Sequence, residues 1–413
     1  MTSRLSVTLL LLFAVGLLVY GLLAWPNLVK QTPNEFVALA EAFLDGHLDI
    51  IPELAPYLDL ATFQERYYVP YPPAPALLYL PAVAAFGRGV HHAPLHLLLS
   101  ATILPLFFLV LRRYETDTGY SIRENLWLVA LLAFGSVLAP LAVKSNVYFT
   151  GQIVAVLFVC FFLLAAYRGR FPLLAGLFLG LGFLARGAVL LALPFALVEI
   201  WQGRADSGDD TEGVGKPLLK FGLALGIILI LSAVYNWARF DHPLELGYRY
   251  LGWQNDSEVI AWGLFNSIYV ERNLHAAFTS LPVLVPESPY ILFNPEGLSL
   301  LITTPLLVML PWLRAWTPAA RTALLSSALI FLPALFYANT GFAQYGYRYA
   351  ADFLPVLILG MALAGLRITS WRIKGLIVIG IVVSLYGALL AGWHPFSLEQ
   401  FQLIHENTLL RYR

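Results

Sequence analysis

A succession of apolar segments constrains this chain more than any other feature, because each must be buried in protein or in lipid. A helix rises about 1.5 Å per residue, so roughly 17 to 25 apolar residues cross the hydrocarbon core of a bilayer. Hydropathy marks eleven candidate spans, at residues 5–25, 93–111, 125–143, 152–167, 172–185, 188–202, 218–237, 298–313, 322–338, 354–366 and 375–392. The fifth and sixth are short and separated only by Arg186 and Gly187, so they also read as one broken or re-entrant hairpin. The chain is 59% hydrophobic and 12% charged, with about half the charge of a soluble domain. The expected fold is therefore all-α and polytopic, with residues 1–413 forming a single integral membrane domain. The first apolar segment is too long for the core of a signal peptide and lacks a small-residue cleavage site, so it reads as an uncleaved signal anchor.

Short basic loops set the expected orientation. With the N-terminus in the cytoplasm, 14 of the 25 Lys and Arg residues (Arg4, Arg112, Arg113, Arg123, Arg168, Arg170, Arg204, Lys216, Lys220, Arg314, Arg321, Arg367, Arg372 and Lys374) fall on that side. The other 11 are spread over longer external segments. Residues 26–92 then form a first external loop with interfacial helices, including the apolar but Pro-interrupted 74–90 stretch, and residues 238–296 form a second external loop. Residues 202–217, rich in Gly and Asp, read as a flexible cytoplasmic loop. The 25 basic and 25 acidic residues cancel, so no overall field points to a nucleic-acid partner. The single Cys160 excludes an internal disulfide.

Chemistry concentrates in the first external loop. Between Gln31 and Pro81 lie seven of the 25 carboxylates (Glu35, Glu41, Asp45, Asp49, Glu53, Asp59, Glu65), together with Arg66 and the Tyr67–Tyr68 pair before a Pro-rich turn. Glu35 and Asp59 are the candidate catalytic bases, since partial burial near the membrane surface raises a carboxylate toward a working pKa. The competing reading of Glu35 is structural: Asn34 caps a helix and Glu35 complements its dipole.

The basic candidates are Arg186, Arg249 and Arg348. A guanidinium at a span end can simply snorkel, but its planar fork also suits a phosphate. Arg249 and Arg348 sit in identical tetrapeptides, Gly247-Tyr248-Arg249-Tyr250 and Gly346-Tyr347-Arg348-Tyr349, each at the outer mouth of an expected span. Asp352 lies four residues after Arg348, where a shared helical face would pair the two. His91, His92 and His96 lack a metal-binding pattern, no nucleotide or nucleophile motif occurs, and no metal or cofactor is expected. Asn255-Asp256-Ser257 fits the N-glycosylation pattern.

Taken in order, these motifs resemble a family. The signal anchor, the acidic residue opening the external loop, the Tyr68-Val69-Pro70-Tyr71-Pro72-Pro73 stretch, Tyr148-Phe149-Thr150-Gly151-Gln152, the Ala175–Leu181 run before Arg186, Thr304-Pro305, and Tyr347-Arg348-Tyr349 with Leu354-Pro355 resemble the polyprenyl-phosphate-sugar-dependent membrane glycosyltransferases of the GT-C fold. The resemblance implies a sugar moved from a polyprenyl-phosphate donor to a glycan, lipid or protein acceptor, on the external face of a bacterial inner membrane. It also implies a loop acid as base, with Asn34, Arg66, Tyr68, Gln152, Arg186, Arg249, Tyr347 and Arg348 on the substrate side. Asn34 and Gln152 stand where the family often has acids. An amide accepts no proton at neutral pH, which leaves Glu35 or Asp59 as the base. The competing class is a non-catalytic lipid-phosphate binder or a transporter on the same scaffold. Transporters place ionisable groups at mid-membrane, whereas nearly all charges here fall at span ends.

Overall fold

The apolar segments fold as helices. The computed structural model describes residues 2–207, 213–252, 257–284, 291–341 and 343–393. Among them, seven helices are long and apolar enough to cross a membrane: Arg4–Leu23, His92–Arg113, Val147–Gly169, Gly187–Ala205, Gly215–Phe240, Pro318–Phe336 and Trp371–Trp393. The chain is an α-helical integral membrane protein.

The other four of the eleven expected spans are short or broken. Residues 125–143 fold as Ile122–Phe134, a turn, and Leu138–Ala142. Ser136 stabilises that turn, its hydroxyl donating to Leu132 O at 2.6 Å and accepting the Leu138 N–H at 3.2 Å. Residues 298–313 divide into Leu300–Thr303 and a 3-10 stretch Pro305–Trp312. Pro305 and Pro311 bring no N–H there, so a regular α-helical ladder cannot close. Pro172–Phe183 and Leu354–Leu363 have 12 and 10 residues. Both are shorter than a bilayer core requires.

The Val147–Gly169 helix is the axis of the bundle, with 89% of its apolar window buried. His92–Arg113 and Pro172–Phe183 pack against it, and Pro172–Phe183 in turn presses on Gly215–Phe240. A Cβ at Gly176 would stand 2.2 Å from the Phe221 carbonyl oxygen, and one at Gly180 2.8 Å from Ile228. Small residues four apart are what allow two membrane helices to approach this closely. Gly215–Phe240 exposes Leu219, Leu223, Ile227, Ile230, Leu231 and Val234. That apolar stripe suits lipid rather than water.

The segment between the first two of these spans is a small packed unit. Glu35–Leu44 is a helix whose apolar face meets the Ala74–Phe86 helix. Ala61–Phe63 and Arg66–Tyr68 pair as an antiparallel hairpin in which Ala61 faces Tyr68. Ala74–Phe86 has 13 residues, about 20 Å of helix, well short of a crossing. Residues 208–212 of the Gly/Asp-rich stretch, Asn255 and Asp256 of the glycosylation pattern, and everything after Trp393 lie outside the described residues.

Candidate active site

A break between helices builds the basic wall of the site. Gly182 and Leu184 end the Pro172–Phe183 helix, and Arg186 adopts extended backbone (φ −149°, ψ 112°) before the 3-10 turn Gly187–Ala192. The break turns Arg186 inward, into a cavity of about 240 Å³. Its other walls come from Pro70–Pro73, Tyr148 and Gly151 at the start of the axial helix, Asn236 and Arg239 at the end of Gly215–Phe240, Tyr248, Pro333, Ala334 and Tyr337, and the Arg348–Asp352 turn. Leu246, Leu251, Leu264, Phe265 and Ile330 give it an apolar side. One cavity thus joins guanidinium groups to an apolar surface.

The two tetrapeptides fold alike and contribute unequally. Gly247 and Gly346 both take positive φ (91° and 79°), and each leads into a 3-10 turn. At Gly247 an added Cβ would strike the Phe240 ring at 2.4 Å, and at Gly346 it would meet Val137 at 2.6 Å, so glycine is required on both counts. From the first copy only Tyr248 reaches the cavity, while the second supplies Arg348 and Tyr349. Arg249 points away, pairs with Glu245 at 2.6 Å and is largely exposed. Tyr347 is buried behind the wall, its hydroxyl donating to Asn273 Oδ1 at 3.3 Å.

Arg186 and Asp352 form the ion pair of the cavity, with Nε 3.1 Å from Oδ2. Burial works against the charge on Arg186, but the Asp352 carboxylate, together with Tyr349 and Tyr248, offsets it and holds the guanidinium above its usual range. Burial raises Asp352, and Arg186 pulls it back only in part. The expected Arg348–Asp352 pair is absent. Residues 348–352 form a 3-10 turn, in which positions three apart eclipse and positions four apart diverge. Arg348 instead donates Nε–H to Gly341 O at 2.9 Å and lies over the rings of Tyr349 (4.8 Å) and Tyr148 (5.3 Å). Its Nη1 and the Asp352 Oδ1 are buried without a hydrogen-bond partner among the described residues. Such groups are costly unless a ligand satisfies them.

Gln152 holds Arg348 from behind. Its amide donates to the Arg348 carbonyl at 2.7 Å, and Gln344 Oε1 accepts the Arg348 N–H at 2.8 Å. Gln152 is fully buried and outside the cavity lining.

The acidic candidates sit together on the loop side. Asn34 caps the Glu35–Leu44 helix, accepting from Phe36 N (2.9 Å) and Val37 N (3.3 Å), while its amide donates to Ser145 O at 3.3 Å. An aspartate could perform the first task but not the second. Glu35 is 9% exposed, and its Oε1 accepts the Asp59 N–H at 3.2 Å. Burial, with a smaller push from the Asp59 charge, moves Glu35 up to about 7 against the pull of two backbone N–H groups. Asp59 Oδ2 accepts from the hydroxyls of Tyr71 and Tyr148, each at 2.5 Å. Both tyrosines line the cavity, and Glu35 and Asp59 do not. Tyr68 packs on Phe240 outside it, and Arg66 is exposed on the hairpin. Both ring nitrogens of His96 are engaged, with Thr150 Oγ1 (3.1 Å) and Leu141 O (2.9 Å).

Arg239 is a cavity residue that sequence reasoning missed. It is 3% exposed, stacks 3.9 Å from the Tyr235 ring centre and donates to Val69 O (2.6 Å) and Asn236 Oδ1 (2.9 Å). At the end of an apolar segment it resembles an ordinary snorkelling cation, although Tyr235 and Phe240 beside it are a signal. Tyr71, Tyr148, Tyr248 and Tyr349 also line the cavity, from motifs whose sequence does not distinguish them from other interfacial tyrosines.

No family model matches the chain, and no curated protein matches it. Among solved structures it is similar to ArnT from Cupriavidus metallidurans bound to undecaprenyl phosphate, at 15% identity and a TM-score of 0.45 over 91% of this chain and 62% of that one. It is also similar to the Archaeoglobus fulgidus oligosaccharyltransferase tethered to an acceptor peptide, at 14% identity and a TM-score of 0.41 over 93% of this chain and 54% of that one. The chain spans less than two thirds of either.

Proposed function

We propose that the protein is a membrane glycosyltransferase that moves a sugar from a polyprenyl-phosphate donor to a glycan, lipid or protein acceptor on the external face of the membrane. The observation that carries this reading is the cavity itself. It brings Arg186, Arg239 and Arg348 together beside an apolar wall, with the Asp59–Tyr71–Tyr148 cluster at its edge. A phosphodiester-like donor asks for that pairing of a cationic cradle with a greasy groove. The cradle would hold the phosphate, stabilise it as it leaves, and expose the sugar carbon to an acceptor oxygen. The Arg348 Nη1, which has no hydrogen-bond partner among the described residues, is a donor available for a phosphate oxygen. A loop carboxylate, Asp59 or Glu35, would take the proton from the acceptor hydroxyl. In this reading the N-terminus is cytoplasmic, the membrane is a bacterial inner membrane, and Gln152 and Asn34 support the site rather than touch substrate.

The test is transfer from a panel of polyprenyl-phosphate sugars by the purified protein and its Asp59→Asn and Glu35→Gln variants. Removing the base should lower turnover by roughly 10²–10⁴-fold while lipid binding stays near normal. Full activity in both variants would remove the loop from the chemistry. Binding without transfer by the wild type, whatever the donor, would favour a non-catalytic lipid-phosphate binder.

A further inference from the structure

The candidate bases do not face the cavity, but two phenols bonded to one of them do. Tyr71 and Tyr148 both line it, and both donate to the same oxygen of Asp59, Oδ2, at 2.5 Å. Their hydroxyls are 3.2 Å apart, and their rings meet edge to face at 5.4 Å. A hydroxyl that approaches Asp59 from the cavity therefore meets a phenol oxygen before it meets that carboxylate. A phenol has one proton to give and lone pairs to accept with. With its proton committed to Asp59, it has a lone pair free for an incoming donor. The tyrosines come from separate elements, the Pro-rich turn and the start of the axial helix, so the cluster is assembled by the tertiary fold.

We propose that Tyr71 and Tyr148 form a proton relay that connects an acceptor hydroxyl in the cavity to Asp59, an inference that rests on the glycosyltransferase reading. As the acceptor oxygen bonds to the sugar's anomeric carbon, its proton passes to a phenol oxygen and that phenol's own proton passes to Asp59 Oδ2. The bond from the anomeric carbon to the phosphate oxygen breaks, and its electron pair leaves with the polyprenyl phosphate. The phenol is neutral before and after. Asp59, which is partly exposed, then returns the proton to solvent. Glu35 positions this base through its bond to the Asp59 N–H. Arg348 lies over the Tyr148 ring face, a contact that Tyr148→Phe leaves in place.

Single-turnover transfer by Tyr71→Phe, Tyr148→Phe and the double variant tests the relay. Each single variant retains one path and should lose less than the double variant, which should slow by about 10²-fold or more with donor affinity unchanged. Adding Asp59→Asn to the double variant should then lower the rate no further. A folded double variant with the wild-type rate overturns the relay alone, and a wild type that transfers from no polyprenyl-phosphate donor overturns the glycosyltransferase reading and the relay with it. Should the double variant fail to fold, the wild type decides the matter by its single-turnover rate in mixtures of light and heavy water: two protons in flight give a curved dependence, and a straight line overturns the relay.

Discussion

Gln152 donates its side-chain amide to the backbone carbonyl of Arg348 at 2.7 Å, across 196 positions of sequence. The bond ties the axial helix to the turn that presents the guanidinium. A carboxylate in its place has no proton to give when ionised. Gln152→Glu should therefore cost about 1–3 kcal/mol of stability and loosen Arg348, weakening polyprenyl-phosphate binding. Denaturation and binding measured on the same preparation check this; no change in either would show that the bond does not hold the turn.

Asn34 gives a prediction of opposite character. Its Oδ1 caps a helix and its Nδ2 reaches Ser145 O. Asn34→Asp keeps the cap and loses the tether, whereas Asn34→Ala loses both. The alanine variant should be destabilised by about 1 kcal/mol or more through the cap alone. The aspartate variant also sets a second charge beside buried Glu35. Thermal unfolding of the two variants separates the contributions, and an aspartate variant as active and stable as the wild type would show the tether to be dispensable.

The raised Glu35 makes stability depend on pH. Its ordinary value is 4.5 and the fold moves it to about 7, so between these values the native state holds a proton that the unfolded chain has released. Stability from this group is present in full below pH 4.5, declines as pH rises toward 7, and is flat above. The Glu35→Gln variant lacks this titration, so it should gain on the wild type between pH 5 and pH 8 by about 1–3 kcal/mol. Melting temperatures of both proteins at the two pH values measure the gap. An identical pH slope would mean that Glu35 is not buried in its neutral form.

Much of the scaffold was legible in the sequence because apolar length is a property of contiguous residues. The breaks were less so, since Ser136 acts through bonds to Leu132 and Leu138 and Pro305 through a bond it withholds. Arg186 stood out because it interrupts an apolar run. Its partner Asp352 did not, because 166 positions separate them and helical spacing suggested Arg348 instead, an inference that a 3-10 turn defeats. Arg239 was concealed by its resemblance to a snorkelling span-end residue. Tyr71 and Tyr148 were concealed by the frequency of tyrosine at membrane interfaces, where only the shared Asp59 oxygen distinguishes them.

The measurement that bears most directly on the account is equilibrium binding of a polyprenyl phosphate, compared with the same polyprenol lacking the phosphate, to the wild type and to Arg348→Lys and Arg348→Ala. The Arg348 fork implies that the phosphate form binds the wild type at least about tenfold more tightly. Lysine should forfeit on the order of 1 kcal/mol or more of that preference, and alanine more. Equal affinity for phosphate and alcohol, or a preference untouched by either substitution, would contradict the assignment of this cavity to a lipid-linked donor.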